Sequence, residues 1–128
     1  MMSRIILFML LTLYVQCKIC PTTKIINSVM NFKKLENCSQ IAGDLMILLL
    51  ENTQSESEFN DYVFPDLLAV SGYLLFFKVN HLTSIGQLFP NLHLIRGQNL
   101  IKDYSLIIFD MPHLLQVRLN ECLQIHRK

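Results

Sequence analysis

The run "GYLLFFKVN" (72–80) holds five large apolar or aromatic side chains between Tyr73 and Phe77 before its first charge, Lys78. A strand with one face on a core and one in water alternates apolar with polar residues. This run has no polar face, so something must cover its second side. Similar runs recur as "DLMILLL" (44–50), "SLIIF" (105–109) and, more weakly, "CLQI" (122–125). Shorter segments align ahead of them: "FPDLLAVSG" (64–72), "FPNLHLIRG" (89–97) and "MPHLLQVRL" (111–119). In this alignment Pro recurs at 65, 90 and 112, Leu at 67, 92 and 114, and a β-branched residue at 70, 95 and 117. Gly72 and Gly97 close the first two units, and "CSQIAG" (38–43) reads as a degenerate earlier copy with Ile41 and Gly43 in register with Val70 and Gly72.

Each unit predicts a short strand, a corner, a longer strand and a connection. Units of 22–25 residues cannot bury their own apolar face, but stacked in parallel they bury a continuous one. The expected fold is mainly β, a right-handed parallel β-helix or solenoid of about four rungs. Glycines suit its corners, and prolines ahead of the first strand of a rung cost no ladder bond. In the longer strands, Leu74 and Phe76 are expected to point inward. Tyr73, Leu75 and Phe77 then point outward, beside Met46 and Leu48 on one neighbouring rung and Ile107 and Phe109 on the other. A short N-terminal capping helix is expected after Ser28, a suitable N-cap, with Val29, Phe32 and Leu35 at helical spacing. Residues 51–63 carry four acidic and no basic residues and read as a solvated loop.

Composition changes this picture at the N-terminus. The chain is 52% hydrophobic and 16% charged, against about 45–50% and 25% for an average domain. Part of the excess is "MMSRIILFMLLTLYVQC" (1–17), where Arg4 precedes an apolar run from Ile5 that extends to Val15. Such a run is shorter than the roughly 20 residues that span a bilayer, and it fits the core of a signal peptide cleaved after Cys17. The alternatives are an N-terminal anchor or a buried first strand. Removing residues 1–17 leaves 11 − 1 = 10 basic residues against 10 acidic ones, a net charge of zero. That balance, with no basic cluster, points away from nucleic acid and from anionic membranes. A secreted, extracellular chain with no membrane insertion of its mature part is expected.

In an oxidising compartment Cys20 and Cys38 are the natural disulfide pair. The formal C-x-x-C of Cys17 and Cys20 straddles the cleavage site and lacks the βαβ context of a redox motif. Cys122 is left as a small buried hydrophobe, or as the partner of a cysteine beyond Lys128 or in another chain. Asn37-Cys38-Ser39 is a glycosylation sequon, and Asn120-Glu121-Cys122 its rarer cysteine form. No catalytic chemistry is legible. There is no nucleophile elbow and no glycine-rich phosphate loop, and His81, His93, His113 and His126 lie in different units without ligand spacing. Cys122 and His126 lack an orienting third group. No enzyme activity, cofactor or metal site is expected.

The blocks Cys20-Pro21, "LENCSQIAGDLMILL" (35–49), "FPDLLAVSGYLLFFKV" (64–79), "FPNLHLIRGQNL" (89–100) and "YSLIIFDMPHL" (104–114) closely resemble the first L domain of the insulin receptor family. The resemblance covers nearly all of residues 20–127. It implies a leucine-rich-repeat-like β-helix whose long β-face forms part of a hormone site. It also gives Cys20 and Cys38 the spacing of that domain's first disulfide. Asn27, Leu48, Leu49, Phe77 and Tyr104 match positions on that face; Met46 and Ile107 lie on it with changed side chains. With the outward Leu75, these form the expected ligand-binding set. The family pattern has a basic residue at Ile26 and aromatic residues at Glu51, Ile101 and Lys102; of these departures, Glu51 and Lys102 are expected to weaken or redirect peptide docking. The implied organisation is a signal peptide (1–17) followed by a partial receptor L domain (18–128). The implied function is capture of an insulin-like peptide, as a decoy or modulator of insulin signalling. The alternative is a truncated receptor fragment that associates with a receptor or with itself without hormone binding.

Overall fold

The computed structural model describes residues 17–119 and 124–125. The strands are β1 (Lys18–Ile26), β2 (Cys38–Leu50), β3 (Ala69–Val70), β4 (Leu74–Val79), β5 (Leu94–Ile95), β6 (Leu106–Phe109) and β7 (Gln124–Ile125). Every pairing between them is parallel. The first part of β2 lies between β1 and β3, and its second part lies between β1 and β4. Two strips result. One runs through β1, β2, β3, β5 and β7, the other through β1, β2, β4 and β6. The chain is a parallel solenoid whose rungs turn a corner between the strips.

The corner is built from stacked glycines. Gly72 donates its N–H to the Gly43 carbonyl at 2.7 Å, and Gly97 donates to the Gly72 carbonyl at 3.0 Å. Gly43 has φ +144°, and a Cβ there would overlap the Thr22 hydroxyl. A Cβ on Gly72 would overlap the Asp44 carboxylate and lie 2.8 Å from the Gly43 carbonyl oxygen. That carboxylate is held in place: Asp44 Oδ1 accepts the Tyr73 N–H at 3.1 Å and the Asn99 amide at 3.3 Å. Gly72→Ala is therefore expected to destabilise the fold by about 1–3 kcal/mol, the usual cost of forced overpacking. Urea denaturation checks this, and an unchanged midpoint would contradict the corner argument.

A second corner lies at the far end of the longer strands. Asn27, Leu49, Lys78 and Asp110 all have left-handed φ, between 53° and 68°. Leu48 pairs with Phe77 and Leu50 with Val79, leaving Leu49 and Lys78 outside the ladder. The extra residue resets the alternation, so Leu48 faces out while Leu50 is buried. Asn and Asp adopt this conformation readily; Leu49 and Lys78 hold it at a cost.

The core follows the alternation. Leu45, Ile47, Leu74 and Phe76 are fully buried. An aromatic stack runs through the interior: Phe32, Phe64, Phe89 and, from β4, Phe76 have successive ring centroids 5.9, 6.0 and 6.3 Å apart. The two F-P motifs thus supply one rung each to this stack. The Cys20–Cys38 disulfide ties β1 to the start of β2, a closure worth about 3 kcal/mol in the chain-entropy picture. Val29–Leu35 is a 3₁₀ helix rather than an α-helix, and the Ser28 hydroxyl accepts the Met30 N–H at 3.2 Å. Phe32 and Leu35 bury its inner side.

Three expectations are corrected. First, "MPHLLQVRL" is not the next copy of the short strand. The partner of Ile95 is Ile125, not Val117. Met111–Leu114 is a turn after β6, closed by Leu114 N–H to the Met111 carbonyl at 3.2 Å. It stacks on the turn after β4, where His81 and His113 lie 4.4 Å apart, and Gln116 bridges Ser84. Proline suits such a turn as well as the lead-in to a strand, so the motif does not separate the two. The residue that stands to Ile125 as Phe89 stands to Ile95 is Leu119, which packs on the core without a proline beside it. Second, Gln124–Ile125 of "CLQI" pairs with the short strand β5, not with a longer one. Third, residues 51–63 are more than a solvated loop. Glu56–Phe59 forms a 3₁₀ helix, and Phe59 is fully buried with its ring 6.3 Å from Phe32. The expected leader apart from Cys17 lies outside the described residues, as do Asn120, Glu121, Cys122 and His126. Cys17 itself is a free, exposed thiol.

A candidate ligand-binding face

Parallel register stacks equal positions of successive rungs, so the outward residues of β1, β2, β4 and β6 form columns. One column is Lys24, Met46, Leu75 and Ile107; the next is Ile26, Leu48, Phe77 and Phe109. Five of the eight expected ligand-binding residues therefore share one face: Met46, Leu48, Leu75, Phe77 and Ile107. All but Met46 are half-buried; Met46 is only 8% exposed, because the Tyr73 hydroxyl reaches its sulfur at 3.5 Å. Burial raises the Tyr73 pKa above the usual phenol value, with the Asp44 carboxylate adding to the effect.

The other three expected residues sit at the margins. Asn27 and Leu49 occupy the left-handed corner at the strand ends. Tyr104 is 53% exposed and precedes β6. It closes a tight hairpin in which Ile101 and Tyr104 exchange both backbone hydrogen bonds, at 3.0 and 2.9 Å, around Lys102 and Asp103. Both central residues have positive φ, the requirement of a two-residue hairpin turn. Of the departures from the expected pattern, Ile26 lies within the second column and extends its apolar length. Glu51 is exposed beyond the corner, and Lys102 is exposed at the hairpin tip. Neither belongs to the two columns.

The centre of the face is aromatic. The Phe77 and Phe109 rings stack with centroids 5.7 Å apart and planes 14° apart. Lys78 Nζ lies 5.5 Å from the Phe77 centroid. Phe109, 64% exposed, and Lys78 belong to this centre but not to the family-derived set. Alternation along "SLIIF" already marks Phe109 as outward; the Lys78 contact depends on the left-handed corner, which no sequence pattern announces. An apolar, aromatic surface of this kind can dock a partner's apolar side chains but holds no nucleophile–base pair. Among the described residues, no group of three or more His, Cys, Asp or Glu is arranged to hold a metal, and no helix is long and apolar enough to cross a membrane.

Comparison with known proteins identifies the module. The Receptor L domain family model matches residues 37–128. Human insulin receptor-related protein is 45% identical over 102 residues, which is 80% of this chain and 8% of that protein. The insulin-like peptide receptor of Branchiostoma lanceolatum is 38% identical over 109 residues, 85% of this chain and 8% of the receptor. The insulin receptor of Xenopus laevis is 41% identical over 110 residues, 86% of this chain and 8% of the receptor. The chain thus spans a small fraction of the length of the curated relatives it matches. With a parallel solenoid, an F-P ladder in its core and these likenesses over most of its length, the chain belongs to the receptor L domain family and is similar there to the insulin receptors.

Proposed function

We propose that this chain is an extracellular binding module that takes up an insulin-like peptide on the outer face of β2, β4 and β6. The observation that carries the reading is the apolar double column centred on the Phe77–Phe109 stack, in a domain similar to receptors whose names include the insulin-like peptide receptor. Aromatic residues at the centre of a partly desolvated patch are where binding energy concentrates. Met46, Leu48, Leu75, Phe77 and Ile107 supply the contact surface, while Asn27, Leu49 and Tyr104 border it. In this reading residues 1–17 are a signal peptide, residues 18–128 are a secreted partial L domain, Asn37 carries a glycan, and the module acts as a decoy or modulator of insulin signalling. Titrating a labelled insulin-like peptide with the chain secreted from eukaryotic cells tests it. Saturable binding at roughly micromolar concentration or tighter is expected. No saturation, with the Cys20–Cys38 bond confirmed by mass, would remove the hormone reading.

One observation favours a second reading, association with another chain. Among the described residues β6 has β4 as its one strand neighbour, and its inward Leu106 and Ile108 are only partly buried. An open apolar edge of this kind invites pairing. Light scattering separates the two readings. A monomer that binds peptide supports the first; a constitutive dimer that ignores peptide supports the second.

A further inference from the structure

Away from the outer face, a cleft of about 510 Å³ opens between the end of the first 3₁₀ helix and residues 61–66. That volume falls in the range of small-ligand sites, about 300–1,000 Å³. Phe32 and Phe64 floor it and are already packed in the core, with the Tyr62 ring 5.4 Å from Phe32. What remains open is mixed in character. Half-buried Tyr62 and Val63, which is 46% exposed, offer apolar surface, and exposed Glu36, Asp61 and Asp66 line the cleft as acceptors, with Lys33 as one cationic donor. An aromatic surface flanked by acceptors and a donor suits a ligand with one apolar face and a periphery of hydroxyl and amide groups. A saccharide has that constitution.

Asn37, the sequon asparagine, is itself part of the cleft wall. It follows the C-cap Glu36 of the 3₁₀ helix and has φ 63°, a left-handed helix-end position that asparagine accepts. Its backbone is therefore set, and as an exposed lining residue it places the start of any attached sugar at the cleft. Tethering replaces a weak bimolecular encounter with an intramolecular one at high effective concentration.

We propose that the cleft is the seat of the first N-acetylglucosamine of a glycan on Asn37, with the acetamide against Tyr62 and the hydroxyls toward Glu36 and Asp66. This rests on the glycosylation of Asn37 proposed above. The test uses the full chain secreted from cells that make only high-mannose glycans. One portion is trimmed enzymatically to a single N-acetylglucosamine. A second portion is stripped completely, which leaves Asp at position 37. The single-sugar form is expected to melt roughly 4–8 °C above the stripped form. It should also show nuclear Overhauser contacts between the acetamide methyl and the Tyr62 ring protons. A sugar that is attached but makes no such contact overturns the inference and leaves the glycosylation reading standing. A secreted chain with no glycan mass overturns both.

Discussion

Phe77→Asp is expected to weaken binding of an insulin-like peptide about 100-fold while the domain stays folded. The reason is position. Phe77 stacks on Phe109 in the middle of the outer face, partly exposed and with no role in the solenoid interior. A carboxylate there would have to be desolvated beneath any apolar side chain that docks, and truncation of a central aromatic contact already costs about 2 kcal/mol or more. A loss of two decades corresponds to about 2.8 kcal/mol. The stability cost should stay near 1 kcal/mol, the centre of the range for single substitutions. Competition binding against the wild-type chain, read beside a thermal melt of both, checks the pair of outcomes. Equal affinity in a folded variant would remove Phe77 from the site.

Its chain neighbour should behave in the opposite way. Phe76→Ala is expected to destabilise the domain by about 3–5 kcal/mol, the usual loss for a large aromatic residue removed from a core. Phe76 is fully buried, and its ring lies 6.3 Å from Phe89 at one end of the aromatic stack. The cavity would open between rungs, where the parallel backbone ladders limit relaxation. For a protein stabilised by about 5–15 kcal/mol, that loss approaches unfolding. Urea denaturation reads it directly. A cost under about 1 kcal/mol would mean that the inward and outward assignments along β4 are reversed.

The contrast between these two neighbours was already legible in "GYLLFFKVN". Period-two alternation separates Leu74 and Phe76 from Tyr73, Leu75 and Phe77, and the glycine register aligns 43, 72 and 97. Both are local signals, and the pairings Ile41 to Val70 and Val70 to Ile95 agree with them. The next rung escapes the sequence pattern because its aromatic marker is absent: Leu119, six residues before Ile125, stands where the earlier rungs have Phe, and the M-P pair of a turn mimics the motif. Phe59 was hidden in a polar stretch because a single buried residue in a short 3₁₀ helix has no periodicity to reveal it. On the site, pattern and resemblance named the columns. The left-handed corner that sets Asn27, Leu49 and Lys78 at their end is a backbone feature at residues with no glycine to mark it.

Methyl and aromatic chemical shifts recorded during titration with an insulin-like peptide read the docking face residue by residue. Saturating shifts are expected at Met46, Leu48, Leu75, Phe77, Ile107 and Phe109, with Val70 and Ile95 in the other strip unmoved. Shifts confined to residues off the two outer columns, or no shifts at a peptide excess, would contradict docking on this face.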